Sequence, residues 1–290
     1  MVILTNKRGA HVLSCVTAIV FFVIIGTLHY AFAERPSPPE NSTELPVLMY
    51  HMVRDIKSTS KYVVSPKQVE SDFEYIKTNG YTPISSAQLI AYVGGAPSPL
   101  PEKPILITFD DGYYNNYLHV YPLLQKYNFP AVVSVIGSQA DFYSVEGSPQ
   151  HEKYTHITWD KLNEMRRSGL VEIGNHTYDL HNTKKRNGIL RKRAETAEEY
   201  KQMLTDDISR LQNLLVEKVG ATSVSFAYPF GCINKESKAI IEGMGFSITF
   251  GCQEGINYIV ANDPACLLTM KRYNRSGKRN TESIFKKFAR

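Results

Sequence analysis

The chain has 290 residues, 43% hydrophobic and 21% charged, an ordinary globular composition with room for one large domain plus a short extra segment, or for two small domains. Its formal net charge of +5 is too small for a dedicated nucleic-acid binder. There are four cysteines but no C-x-x-C pair, which argues against a thiolate zinc cluster.

The chain opens on Lys7 and Arg8, followed by an uncharged, mostly apolar run from Val12 to Thr27 and by Ala31-Phe32-Ala33, with small residues where a signal peptidase reads. Residues 1–33 are therefore expected to be a secretory signal or a retained membrane anchor, with everything after them outside the cytoplasmic membrane. Residues 34–45, rich in Pro, Ser and acids, read as a tether, and 46–290 as the catalytic domain. If exported, Cys232, Cys252 and Cys266 allow at most one disulfide.

From Pro46 onward, short apolar runs alternate with amphipathic stretches. Val47–Tyr50, Ile105–Phe109, Ala131–Ile136, Val171–Gly174, Val224–Ala227, Ser247–Phe250 and Leu267–Met270 read as buried parallel strands. Between them the signals predict helices from Ser65-Pro66 to about Asn79, over Tyr114–Tyr127 with a kink at Pro122, over Thr158–Ser168, Ala194–Lys218 and Lys235–Gly243. This alternation predicts a parallel α/β fold, with a barrel favoured over an open sheet. The basic run Lys184–Arg193 is either a solvated loop or a contact to an anionic polymer.

Two constellations carry chemistry. Thr108-Phe109-Asp110-Asp111-Gly112 directly follows a predicted strand, and in parallel α/β folds the carboxyl ends of strands carry the reacting groups. Two adjacent carboxylates repel each other unless a cation relieves them. The second constellation, Gly174-Asn175-His176-Thr177-Tyr178-Asp179-Leu180-His181, also follows a strand; histidines five residues apart share no helical face but can converge from a loop. Two imidazoles and one carboxylate make a three-ligand site with a position left for water and substrate. H-E-x-x-H, G-x-S-x-G, the P-loop and G-x-G-x-x-G are all missing from the sequence, which leaves water activated by a metal with a carboxylate base.

Thr-Phe-Asp-Asp-Gly, the later histidine pair and Tyr228-Pro229-Phe230-Gly231 together resemble the polysaccharide deacetylase family, the NodB-like carbohydrate esterases, over about Pro46 to Arg275. The resemblance implies a distorted (β/α) barrel of about seven strands. It implies Asp110 as general base, Asp111, His176 and His181 as ligands of a divalent metal, zinc before others, and Tyr228, Pro229 and Phe230 at the substrate and the oxyanion. Three features depart from most members. The histidines are five apart instead of four, no histidine follows His181, and Ala227-Tyr228, not an arginine, precede Pro229. The first two are similar to the poly-N-acetylglucosamine deacetylase branch, whose barrel is circularly permuted and whose acid comes from the N-terminal strand. That implies His51, at the end of Val47–Tyr50, as general acid, with a pKa near or above neutrality; Arg272 is the candidate to replace the missing arginine. The expected activity is removal of N-acetyl groups from N-acetylglucosamine units of an extracellular or cell-wall polysaccharide, with Tyr113, Tyr114, Tyr178 and Tyr228 as candidate sugar-stacking faces. An inactive carbohydrate-binding relative and an amidase acting on a small non-sugar amide are the alternatives.

Overall fold

Most of the apolar, partly β-branched runs fold as short strands buried on both faces, as a sheet covered by helices requires. The structure is a computed structural model describing residues 38–288, apart from 57–59 and 185; the expected signal or anchor, 1–33, lies outside them. In chain order the strands are β1 (Ser42–Leu45), β2 (Val47–Tyr50), β3 (Met52–Val53), β4 (Val63–Val64), β5 (Thr82–Pro83), β6 (Pro104–Phe109), β7 (Ala131–Val135), β8 (Val171–Asn175), β9 (Ser225–Ala227), β10 (Ile248–Phe250), β11 (Asn257–Val260) and β12 (Tyr273–Asn274). β1 falls within the stretch expected to be a tether and pairs antiparallel with β11.

Seven strands run parallel in the order β10-β9-β8-β7-β6-β2-β12, and β5 adds to the start of β6. The sheet curls because one segment touches both of its edges. The Gly251 N–H donates to the Met270 carbonyl at 2.9 Å, and five residues on, the Arg275 N–H donates to the Met49 carbonyl at 2.9 Å. The result is the expected distorted barrel of seven strands. The last strand sits later than its hydropathy suggested. Pro264 starts a tight turn over Pro264–Leu267, Thr269 takes a positive φ of 61°, only Met270 bridges to Phe250, and pairing with β2 begins at Tyr273.

The two-residue period of a strand separates the faces. Val47, Leu106, Val132, Ala227, Ile248 and Phe250 pack together inside the curl, while Leu48, Ile105, Ile107, Val133, Val171 and Ile173 face the outer helices. Counting on by twos, Val47 and Met49 lead to His51, and Leu106 and Thr108 lead to Asp110, so both polar residues emerge on the inner face at the carboxyl ends of their strands. Gly174, two residues before His176, must be small. A Cβ there would come within 2.6 Å of Ser134 Oγ and 3.0 Å of Ser225 Oγ, in a layer of short side chains just beneath the site.

The helices follow local signals. Ser65 caps Pro66–Thr78 and Thr196 caps Ala197–Leu214, each with a capping box. The Tyr114–Tyr127 stretch divides into a widened turn, Asn116–Val120, and a helix, Tyr121–Tyr127, with Pro122 in its first turn. Helices at Ser86–Val93, Gly137–Tyr143 and Thr281–Phe285 were not foreseen.

Candidate active site

The carboxyl ends of β2, β6 and β8 surround a cavity of about 610 Å³ whose walls include His51, Asp110, Asp111, His176, His181 and Phe230. Backbone strain shapes its floor. Asp111 (φ 71°) and Gly112 (φ 70°) both take left-handed conformations directly after β6, turning the chain sharply at the mouth. Thr177, a β-branched residue, is held at φ 71° right after His176; its N–H donates to Asn175 Oδ1 at 2.9 Å.

Asp111 Oδ1 lies 3.4 Å from His176 Nε2 and 3.3 Å from His181 Nε2, and the ligand atoms of the three residues lie within 4.8 Å of one another. That oxygen is buried and accepts no hydrogen bond. A buried, unpartnered carboxylate oxygen is costly, and a cation is the partner that this geometry accommodates. His176 Nδ1 lies 2.7 Å from the Ala227 carbonyl, the second contact that commonly orients a ligating imidazole. Burial first, and then the neighbouring His176, lower the His181 pKa to about 4, so its imidazole is neutral and its lone pair available near pH 7. The Phe230 ring lies against His181 with centroids 4.3 Å apart.

Arg272, the candidate to replace the arginine missing before Pro229, reaches Asp110. Its Nη1 and Nη2 donate to the two Asp110 oxygens at 2.8 and 2.7 Å, Nη1 also reaches Thr108 Oγ1 at 3.2 Å, and Nε donates to the Gly251 carbonyl at 2.8 Å. Burial pushes the Asp110 pKa up, but the Arg272 fork outweighs it and holds the carboxyl below its ordinary value. His51 lines the same cavity, its ring 4.8 Å from Tyr62, and its Nδ1 is buried without a hydrogen-bond partner. Burial lowers its pKa more than the carboxylates raise it, so the imidazole sits below its ordinary value, where a pKa near or above neutrality is expected of an acid.

The tyrosines divide. Tyr113 lines the cavity, where burial and the Asp111 charge push its phenol pKa up. Tyr228 is no sugar-stacking face: it shares parity with the outward Phe226, is fully buried, and packs with Tyr200 and Ile241 behind the sheet. Pro229 is also buried, and of that motif only Phe230 reaches the cavity, with a φ of 57°. The face of Tyr178 is covered by the Arg210 guanidinium, 3.6 Å from the ring centroid, and Tyr114 packs beside Tyr117, so neither lines the cavity. In the basic run, Arg186 pairs with Glu195 and Arg191 with Glu236, giving those two cations internal structural partners. Cys232, Cys252 and Cys266 are free thiols. Cys252, Lys61, Tyr62 and Asn274 also line the cavity and carry no motif that would have marked them.

Comparison with known proteins accords with this arrangement. The polysaccharide deacetylase family matches residues 98–249. A poly-β-1,6-N-acetyl-D-glucosamine N-deacetylase of Escherichia coli K12 is 29% identical over 263 residues, covering 80% of this chain and 38% of the relative. The chain thus spans well under half the length of that relative. A protein of the same name from Staphylococcus aureus MSSA476 is 27% identical over 260 residues, covering 82% of this chain and 84% of the relative. Among solved structures, a de-N-acetylase from Aggregatibacter actinomycetemcomitans superposes with a TM-score of 0.72 at 29% identity, over 85% of this chain and all of that one. The deacetylase domain of BpsB from Bordetella bronchiseptica gives 0.65 at 29% identity, over 82% and 97% of the two chains. By its family match over more than half its length, on top of a barrel and site of this form, the chain belongs to the polysaccharide deacetylase family.

Proposed function

We propose that this protein is a metal-dependent hydrolase that removes N-acetyl groups from N-acetylglucosamine units of a polysaccharide outside the cytoplasmic membrane. The observation that supports this most directly is the convergence of Asp110, Asp111, His176, His181 and His51 on one cavity, with Arg272 clamping Asp110. Asp111, His176 and His181 are the residues that hold the ion, and zinc fits two imidazoles and a carboxylate best. Such an ion supplies Lewis acidity toward an acetamide carbonyl and a nearby water.

The remaining roles fall to the chain itself. Asp110, kept ionised by Arg272, is the base that takes the proton of the attacking water. The new C–O bond forms at the acetyl carbon, and the backbone N–H of Phe230 steadies the oxyanion. The C–N bond then breaks as His51, in the fraction of molecules that keep its proton although burial lowers its pKa, donates that proton to the departing nitrogen, releasing acetate and a free glucosamine unit. The relatives named for poly-β-1,6-N-acetyl-D-glucosamine make that polymer the first substrate to try. The test is acetate release by the purified protein from poly-β-1,6-N-acetylglucosamine, peptidoglycan and chitin, with and without added zinc. Acetate from none of them, with zinc bound, would defeat the proposal.

A further inference from the structure

A second cavity of about 270 Å³ abuts the first, and the two share Tyr113 and His181 as a common wall. Its other walls include Ser138, Gln139, His156 and Asp179. From this contiguity and lining we infer that the second cavity is a subsite for the hexosamine ring next to the one being deacetylated, with Gln139 and Ser138 as specificity-determining contacts. The inference rests on the proposed polysaccharide deacetylase activity.

The lining selects the ligand chemistry. None of the residues lining the cavity is a lysine or arginine, and Asp179 adds a carboxylate. A phosphate or other anionic group therefore finds no lysine or arginine here and meets the Asp179 carboxylate. A neutral, hydroxyl-rich ring does find partners. The half-buried Gln139 amide makes no hydrogen bond among the described residues and so offers two donors and an acceptor. Ser138 Oγ donates to Asp179 Oδ1 at 3.1 Å and keeps its own lone pairs for a sugar hydroxyl.

The cleft is also rigidly built. The Tyr178 and Asp179 N–H groups donate to the two oxygens of Asp207 at 2.8 and 2.9 Å, tying the loop between His176 and His181 to the helix Ala197–Leu214. The Ser138 N–H donates to the Tyr178 carbonyl at 2.8 Å, so the opposite wall is held to the same loop. Fixed polar groups beside a reacting centre turn remote binding into correct placement of the scissile group.

The test compares kcat/KM on a pentamer of β-1,6-linked N-acetylglucosamine with kcat/KM on p-nitrophenyl acetate, which carries no second hexosamine ring for the second cavity to hold. Gln139→Ala lowers the pentamer-to-ester ratio by about fivefold, the worth of one hydrogen bond, and the loss appears in KM more than in kcat. Ser138→Ala acts in the same direction, and Gln139→Trp, which fills the cleft, lowers the ratio further. Unchanged thermal melting separates a lost contact from a lost fold. A ratio unchanged in all three variants, with wild-type protein active on the pentamer, overturns the subsite alone. Wild-type protein that cleaves the ester but releases no acetate from the pentamer overturns the polysaccharide reading and the subsite with it.

Discussion

Replacing Arg272 with methionine keeps much of the side-chain volume and removes the guanidinium from a pair whose side chains are 0% and 3% exposed. Removing one partner of a buried ion pair costs about 3–5 kcal/mol, because the other charge is left without water or counter-ion. For a domain of this size about 1 kcal/mol moves Tm by roughly 2–4 °C, so Arg272→Met should lower it by roughly 6–20 °C. The orphaned carboxyl then has only the weaker pull of His176 and His51 against burial, takes up a proton more readily, and is a poorer base; activity should fall by about 10²–10⁴-fold. Adding Asp110→Asn removes the uncompensated charge, so the double variant should regain stability but no activity. The effect also depends on pH. Asp110 has a folded-state pKa below its unfolded value, so the pair's contribution is fully present above the unfolded value of about 4 and is lost as pH falls through the lowered folded one. Thermal unfolding and acetate release measured on the single and double variants decide the matter. A single variant as stable as the parent, or a double variant no more stable than Arg272→Met, would refute the reasoning.

Asp110→Asn should abolish turnover and leave zinc bound, whereas Asp111→Asn, His176→Ala and His181→Ala should each lose zinc and activity together; metal analysis of the four proteins checks this, and equal zinc loss in Asp110→Asn would make that residue a ligand. His51→Ala should cut kcat by about 10²–10⁴-fold at unchanged metal content and flatten the limb on which activity falls with rising pH; retention of most activity would assign the acid to another group. Gly277→Ala would place a Cβ 2.0 Å from the Val63 carbonyl oxygen, so the segment after β12 must lift from β4, at a cost of about 1–3 kcal/mol or more that thermal unfolding measures; an unchanged Tm would contradict that close approach. Protease added to intact cells should reach the catalytic domain if it stays anchored, and the culture medium should hold it if it does not; a fully protected domain with no secreted form would place it inside.

What could be read in advance was whatever depends on short-range pattern. Six of the seven barrel strands announced themselves because a strand buried on both faces is a continuous apolar run, as in Pro104–Phe109. The Asp110-Asp111 and His176…His181 groups stood out because they occur together after strands, where adjacent carboxylates call for a cation and two imidazoles can complete its ligand set. The strand β12 escaped because its two residues, Tyr273 and Asn274, are held by pairing with β2 and not by hydropathy. Tyr228 was misplaced because a motif gives the type of residue, while the parity of β9 decides which way it faces. The second cavity was invisible in the sequence. Its walls come from the helix Gly137–Tyr143, from His156 and from the loop bearing Asp179, each too short or too ordinary to signal alone.

Strand register also accounts for the placing of His51 some sixty residues ahead of the carboxylates. β2 lies beside β6 with Tyr50 opposite Phe109, and their rings stack at 4.9 Å on the outer face. The next residue of each strand must point inward, so His51 and Asp110 enter the mouth side by side whatever the chain distance between them. Behind them the register is locked. Tyr50 Oη donates to Asp72 Oδ2 at 2.9 Å, and Asp72 is clamped by Arg275 at 2.6 and 3.1 Å, in a pair with both side chains fully buried. Arg272 and Arg275 leave the same closing segment three residues apart. The first grips the carboxylate beside the cluster of Asp111, His176 and His181, and the second grips the one that seats the strand carrying His51. The proposed base and acid are thus fixed by one stretch of chain, the one that joins the two edges of the sheet, and chemistry that needs both at a set separation depends on that closure.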